Sequence, residues 1–455
     1  MAGEPRRSPG DLSFILPEVA PGDVSASVGA AVAAAPEWAR TPLPERITRL
    51  RDAQQALAAA KDELARGIAL ETGKPITEAL GEVGGVVAKI DLTIADAERW
   101  LAEETNLGGP HPALIRRRPR GPAAVVGPFN FPLHLGHGAN VAHLLAGNPV
   151  LFKPSPLAAC VAARYGELMS PAFPPGVFQI VQGGGAEGEA LCLDPRVRSV
   201  CFTGSVPVGK VLAAALAHDF SKDLALELGG SNALLVCADA DLDKAAHAAA
   251  EGACLTAGQR CNATSRVIVE RPVAAEFQRR LLEALAVFQP GDPLLPATKL
   301  GPVISAAAVV RYERLLAGTQ GEWLLPGRVE SEAGGKRGHF VRPAVVLRRD
   351  DGAADEECFV PIVSLFIAAD LDDAVRLQNA TPFGLTASVF TRSEATFRAV
   401  GERLDVGNLY ANLPTTFSPS TQPFGGLRAS GNGRPGGRGF IRFTTDEQAV
   451  QWAAW

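Results

Sequence analysis

The spacing of hydrophobic and polar positions changes twice along the chain. Between residues 24 and 70, Ala-rich segments carry apolar side chains near helical period. In the second of them, Arg46 to Ile68, the residues Ile47, Leu50, Leu57, Leu64 and Ile68 mark one face. Glu71-Thr72-Gly73-Lys74-Pro75 ends that helix, with glycine where a C-cap belongs and proline just after it. A further helix is expected over about 76 to 104. From Gly121 onward the pattern turns to short apolar runs separated by helical ones: Ala123 to Val126, Pro149 to Lys153, Val177 to Val181, Ser199 to Thr203 and Leu224 to Leu228. Strands alternating with helices at this spacing predict a parallel, doubly wound sheet. A second α/β unit follows Gly230: a strand over Ala233 to Cys237, a helix from Asp241, and a strand over Ser265 to Glu270. The final segment, Phe440 to Thr445, alternates as a strand.

Composition narrows the class. A chain of 455 residues exceeds what one core usually supports, so two or three domains are expected. An apolar fraction of 47% with 20% charged residues is that of an ordinary globular protein, and a net charge of −5 argues against nucleic acid and against anionic membrane surfaces. No apolar run approaches the ~18 residues of a membrane span, and the first residues, Met1 to Pro9, lack the apolar core of a secretory signal. Seven cysteines without a CxxC pair fit a reducing compartment, hence a cytoplasmic protein; the seven histidines show no zinc-ligand spacing, so no metal is expected. Four arginines lie in Arg116 to Arg120. In an acidic protein such a cluster reads as a solvated or subunit-contact strand rather than a phosphate site.

Candidate chemistry begins at Cys261, at the end of the small-residue stretch Leu255-Thr256-Ala257-Gly258-Gln259-Arg260. A cysteine is usually an apolar filler. Two other stretches change that reading. Leu226-Glu227-Leu228-Gly229-Gly230 encloses a carboxylate in leucines, where desolvation raises its pKa toward that of a general base. Gly127-Pro128-Phe129-Asn130-Phe131-Pro132 holds an amide on a stiff backbone, suited to donate to an oxyanion. Gly204-Ser205-Val206-Pro207-Val208-Gly209 follows a strand and opens a helix reaching to about His218, with Ser205 as N-cap; orphan amides there suit a pyrophosphate. A cysteine hydrolase or thiolase reading lacks a histidine near Cys261 and leaves that turn unexplained.

Together these stretches resemble the aldehyde dehydrogenase superfamily from about Trp38 to the C-terminus. Further matches are Lys153-Pro154-Ser155, Phe202-Thr203-Gly204-Ser205 with Gly209, Glu357-Cys358-Phe359, Asn379 to Leu385, and Pro423-Phe424-Gly425-Gly426. The wording is closest to N-succinylglutamate semialdehyde dehydrogenases, through Gly258 to Cys261, Asn130 to His134 and Ala429 to Pro435. The resemblance implies a dinucleotide-binding domain over 1–100 and 120–229, a catalytic α/β domain over 230–425, and a small β oligomerisation arm from 101–119 and 426–455. It implies NAD or NADP as cofactor and an aldehyde as substrate. Cys261 becomes the nucleophile, Glu227 the base and Asn130 the oxyanion donor. Lys153, Gly204, Ser205, Gly209, Glu357, Phe359 and Phe129 become the cofactor contacts, and a homodimer or dimer of dimers is expected.

Several positions depart from the family pattern. Pro156 stands where many NAD-using relatives carry a ribose-binding glutamate, so weaker discrimination against NADP is expected. Val360 replaces a usual glycine after Phe359. Ala139 and Pro435 occupy places where relatives keep a lysine and a glutamate that relay protons. These departures leave open a catalytically idle structural relative. Arg260 and Arg428 are candidates to meet a substrate carboxylate, whereas Phe417, in the divergent loop Asn412 to Gln422, could shape an apolar pocket for an ordinary aldehyde.

Overall fold

The computed structural model describes residues 5–105, 108, 111–350 and 356–453. The apolar runs form a sheet in which β1 (Ala123–Val126), β2 (Val150–Lys153), β3 (Phe178–Ile180), β4 (Ser199–Thr203) and β5 (Asp223–Glu227) lie parallel in the order β5-β4-β1-β2-β3. Gly431–Asn432 adds an antiparallel pair at the β5 edge. Period-two alternation splits the side chains between two cores. Val125, Phe152 and Cys201 face helices that include α1 (Ile76–Trp100) and α2 (His134–Ala146). Ala124, Leu151, Val200 and Leu226 face Val24–Arg40, Gly185–Leu193 and α3 (Val206–Leu216). Burial on both faces explains why these strands read as continuous apolar runs.

The second sheet is built from β6 (Asn232–Val236), β7 (Thr264–Glu270), β8 (Glu322–Leu325), β9 (Ala344–Leu347), β10 (Ile362–Ala368), β11 (Thr386–Phe390) and β12 (Asn408–Ala411), in the order β8-β9-β10-β7-β6-β11-β12. All its pairs are parallel except β8 with β9. The chain passes from the first sheet to the second through Leu228–Ser231, only four residues after Glu227 ends β5. Within the second unit, α4 (Leu242–Cys254) starts at Asp241, whose side chain accepts from the Lys244 amide.

Four local expectations need correction. The expected single helix over Arg46 to Ile68 is two, Leu43–Ala59 and Lys61–Thr72, because Ala60 leaves helical geometry at φ −94 and ψ 14. The helix after Pro75 stops at Trp100 rather than near 104, and α3 stops at Leu216. Phe440 to Thr445 is not a strand: Gly439, at φ 83, starts a 3-10 turn over Phe440–Thr444 that packs the adjacent Phe440 and Ile441 into one core, whereas a strand would send them to opposite faces. The strand is Thr445–Gln451, antiparallel to Ala113–Pro119, with Glu104–Thr105 on the far side. Arg116 and Arg117 lie on that ribbon, paired with Glu103 at 2.7 Å and Glu447 at 2.5 Å respectively. Among the described residues no helix is long and apolar enough to cross a membrane.

Candidate active site

Four turns converge where the two sheets meet. α4 ends in Leu255–Gly258, with three successive residues in the left-handed region: Thr256 (φ 52), Ala257 (φ 53) and Gly258 (φ 73). A β-branched residue there is strained. Glu78 of α1 compensates, accepting from the Thr256 amide at 3.2 Å and hydroxyl at 2.8 Å, and from Arg260 Nη2 at 2.6 Å. That reversal delivers Cys261, half-buried, to the bottom of a crevice. Its carbonyl accepts from Asn232 Nδ2 at 2.8 Å.

Glu227 meets Cys261 from the end of β5. The two side chains lie close enough to influence each other's titration, and Glu227 Oε1 is buried with no partner among the described residues. Desolvation drives the Glu227 carboxyl up to about 8, the contact with Cys261 lowers it, and the charge of Glu357 raises it further. Desolvation, followed by the two nearby carboxylates, likewise lifts the Cys261 thiol well above its ordinary range, while a backbone hydrogen bond from Asn262 works the other way. Burial thus disfavours the charged form of both groups.

Asn130 is buried and its amide orientation is fixed: Oδ1 accepts from the Phe131 amide at 3.1 Å, and Nδ2 donates to the Gln259 carbonyl at 2.8 Å. One N–H of Nδ2 remains for another acceptor. The glycines after Glu227 exist for closeness: a Cβ at Gly229 would stand 2.4 Å from the Glu357 carboxylate and one at Gly230 2.6 Å from the Cys261 carbonyl oxygen. Instead the Gly230 amide donates to Glu357 Oε1 at 3.1 Å.

Cys261 and Leu135 line two cavities at once. One, of about 240 Å³, is bounded by Phe129, Asn130, Gly204, Ser205, Glu227 and Glu357, among others; the other, of about 140 Å³, lies toward Lys89, Arg260, Ser418 and Pro435. A thiol on the shared wall of two pockets, with a base and an amide beside it, is suited to join two small molecules in one reaction. The model of the aldehyde dehydrogenase family matches residues 10–450. The chain belongs to that family.

It is accordingly an NAD(P)-dependent oxidoreductase acting on aldehydes. The N-succinylglutamate 5-semialdehyde dehydrogenase 1 of Caulobacter vibrioides is 39% identical over 421 residues, 90% of this chain and 88% of the relative. Among solved structures, a gamma-glutamyl-gamma-aminobutyraldehyde dehydrogenase of Burkholderia cenocepacia superposes with a TM-score of 0.92 at 32% identity, covering 98% of this chain and 92% of that one. The NAD-bound 1-pyrroline-5-carboxylate dehydrogenase from Thermus gives 0.92 at 29%, covering 98% and 89%.

The larger cavity of this aldehyde dehydrogenase has a lining suited to part of a dinucleotide. It opens at the carboxyl ends of the first sheet, against the N-terminus of the 11-residue α3. Ser205 takes the N-cap position, but its side chain makes no cap hydrogen bond, a correction to the expected cap that leaves the hydroxyl available on the cavity wall. Phe129 and Phe359 meet edge to face at 6.0 Å and both line this cavity. Glu357 borders it as well; burial lifts its carboxyl to about 7. Gly209 lines neither cavity: it packs α3 onto β5, where a Cβ would stand 2.7 Å from Leu228. Lys153 ends β2, buried, and also lies off both walls.

The departures are accommodated locally. At Val360 the positive φ falls on Phe359 instead (φ 55), and Val360 packs its backbone against Gly258. Arg428 does not line the smaller cavity. It ties loops together, donating to the carbonyls of Thr381 at 2.8 Å and Phe383 at 2.5 Å from a backbone at φ 54. Arg260 does line that cavity. Phe417 packs on Tyr410 at 5.6 Å and is not on the wall, which its neighbours Ser418 to Ser420 form. Residues without a motif signature also matter here. Ser430 donates to the Gly229 carbonyl at 2.7 Å, Arg311 donates to the Cys358 carbonyl at 2.9 Å, and Lys89 reaches the cavity from α1.

Proposed function

We propose that this enzyme oxidises a semialdehyde bearing carboxylates, of the N-succinylglutamate 5-semialdehyde type, to the acid, with water as acyl acceptor. The relatives with this printed activity support the substrate class. The placing of Glu227 and Asn130 with Cys261 around one cavity, whose wall at Cys261 also faces the second cavity, supports the mechanism.

In that mechanism Cys261 Sγ releases its proton to solvent and adds to the aldehyde carbon. The oxyanion accepts from Asn130 Nδ2 and the Cys261 backbone N–H; one such donor is worth about 2.7 to 4 kcal/mol of barrier. Gly204, Ser205, Phe129, Phe359 and Glu357 hold the dinucleotide, with Lys153 and Gly209 as further contacts inferred from the family motif. When bound, its nicotinamide supplies a cationic ring beside the thiol and the acceptor for the aldehyde hydride. The acyl group is left on Sγ as a thioester. Glu227, as the carboxylate, then draws a proton from water, whose oxygen adds to the acyl carbon; the C–S bond breaks, the acid leaves, and Glu227 returns the proton to Sγ. A buried base at this place favours hydrolysis over transfer to another acyl acceptor.

Cys261→Ala is expected to abolish NADH formation while dinucleotide binding, followed by quenching of protein fluorescence, persists. Glu227→Gln is expected to keep an initial burst of NADH with slow later turnover. Retained turnover in Cys261→Ala, or burst and steady state falling together in Glu227→Gln, removes the assignment.

Among the described residues the ribbon edge at Thr445–Gln451 pairs on one side only, which supports strand addition by a second copy and hence a homodimer or dimer of dimers. On this reading the arm comprises 101–119 and 426–455, beside cofactor and catalytic domains over 1–100 with 120–229 and 230–425. Light scattering of the eluting protein tests it, a monomer being the outcome against it. Seven unpaired cysteines favour a cytoplasmic location.

A further inference from the structure

The substrate-side cavity contains two cationic side chains whose charges are differently disposed. Arg260 is neutralised: Nη2 stands 2.6 Å from Glu78, and the guanidinium lies over the Phe131 ring at 4.9 Å. Lys74, 3.8 Å from the same ring centre, is paired with the buried Glu82. Lys89 differs. It is 5% exposed, and among the described residues no carboxylate lies within ion-pair range of its ammonium. Nζ donates to one acceptor, the Gly437 carbonyl at 3.0 Å, although an ammonium carries three protons. Asp96, the acid that reaches it electrostatically, is engaged by Arg438 at 3.1 Å and by the Gly439 amide at 2.7 Å.

The chain makes room for this cation. A Cβ at Gly138 of α2 would stand 3.2 Å from Lys89 Cε, so the glycine admits the side chain to the cavity. A buried ammonium with unfilled donors costs stability unless an occupant completes it. Burial brings its pKa down to about 8, with Asp96 opposing, as expected for a cation that lacks a full counter-charge. Nucleotide phosphates would enter from the opposite side of Cys261, so an anion in this cavity arrives with the substrate.

We propose that Lys89 is the specificity-determining residue that anchors a carboxylate of the substrate, so that the site selects aldehydes carrying an anionic group away from the reacting carbon. The proposal rests on the semialdehyde reading above, and two readouts separate their failures. In the first, kcat/KM for N-succinylglutamate semialdehyde and for hexanal is measured in the full-length enzyme and its Lys89→Met and Lys89→Arg variants. Loss of one charge-assisted hydrogen bond predicts a drop of about 10- to 100-fold for Lys89→Met on the carboxylated aldehyde, chiefly in KM, with hexanal nearly unchanged. Lys89→Arg should recover much of that loss. Equal losses on both aldehydes, or none on the carboxylated one, overturn the proposal. The second readout needs no turnover: glutarate should slow alkylation of Cys261 by iodoacetamide, read by peptide mass, in the wild type but not in Lys89→Met. If glutarate protects both alike, or neither, the anchor is wrong. If protection depends on Lys89 while no carboxylated semialdehyde is oxidised, the anchor stands and the semialdehyde reading falls.

Discussion

Asn232 holds Cys261 by its backbone: Nδ2 donates to the Cys261 carbonyl at 2.8 Å and to that of Ala263 at 2.9 Å, while Oδ1 accepts from the Thr386 amide at 3.1 Å. The first residue of β6 thus fixes the turn carrying the nucleophile and ties it to β11. Asn232→Ala leaves three buried backbone groups unpaired and is expected to cost about 1–3 kcal/mol for each group that water cannot reach. Urea denaturation should show a lower midpoint at unchanged slope. Activity should fall further than stability alone explains, since Sγ loses its position.

The pH dependence of stability should carry the signature of Glu227. Its folded pKa of about 8 exceeds the ordinary 4.5, so between these values the folded protein holds a proton that the unfolded chain has released. The stabilisation is complete at acid pH and is lost as pH rises through about 8. Each unit of difference corresponds to roughly 1.4 kcal/mol. Relative to wild type, Glu227→Gln should gain stability between pH 5 and 8, a window that Glu357, lifted to about 7, shares in sign. Urea midpoints at several pH values check this, and a constant difference between the two proteins contradicts it. Steady-state turnover of the wild type should rise toward pH 8 as Glu227 ionises.

Gly258→Ala is expected to be severe. The backbone is left-handed there (φ 73), and the added Cβ would stand 2.5 Å from the Val360 carbonyl carbon, a backbone atom that cannot step aside. The turn bearing Cys261 and the loop bearing Glu357 and Phe359 would be pushed apart. Both KM for dinucleotide and kcat should deteriorate, whereas Gly335→Ala, also at positive φ (74) but with nothing within 4 Å, should leave both unchanged.

Cofactor preference should be broad. Pro156 is exposed and opens a short 3-10 turn capped by Ser155, so no carboxylate stands at that position to accept ribose hydroxyls or repel a 2′-phosphate. Arg6 donates to the Leu157 carbonyl at 3.0 Å and sets a guanidinium, paired with Glu71, beside the same turn. Steady-state kinetics with NAD and NADP test the expectation; an NAD preference beyond ~100-fold in kcat/KM defeats it.

The parallel strands and the Gly73 stop were legible from the sequence because their causes are local, and Cys261, Glu227 and Asn130, singled out on local grounds, line one cavity. Strands buried on both faces read as apolar runs, a helix ends where glycine adopts φ 76, and reactive side chains stand out among small or apolar neighbours. Phe440 to Thr445 was misread because alternation is a weak signal over six residues, and a buried Phe440-Ile441 pair satisfies the core equally well as a turn. Lys89, Asn232, Ser430 and Arg311 gave no warning. Each is an ordinary side chain whose meaning comes from a partner far along the chain, 348 residues away for Lys89 and Gly437 and 201 for Ser430 and Gly229. Arg260 and Arg428 make the point most sharply. Equal as guanidinium groups in the sequence, one was brought to the substrate cavity and the other turned onto loop carbonyls, because burial and hydrogen-bond geometry are set only when distant segments pack.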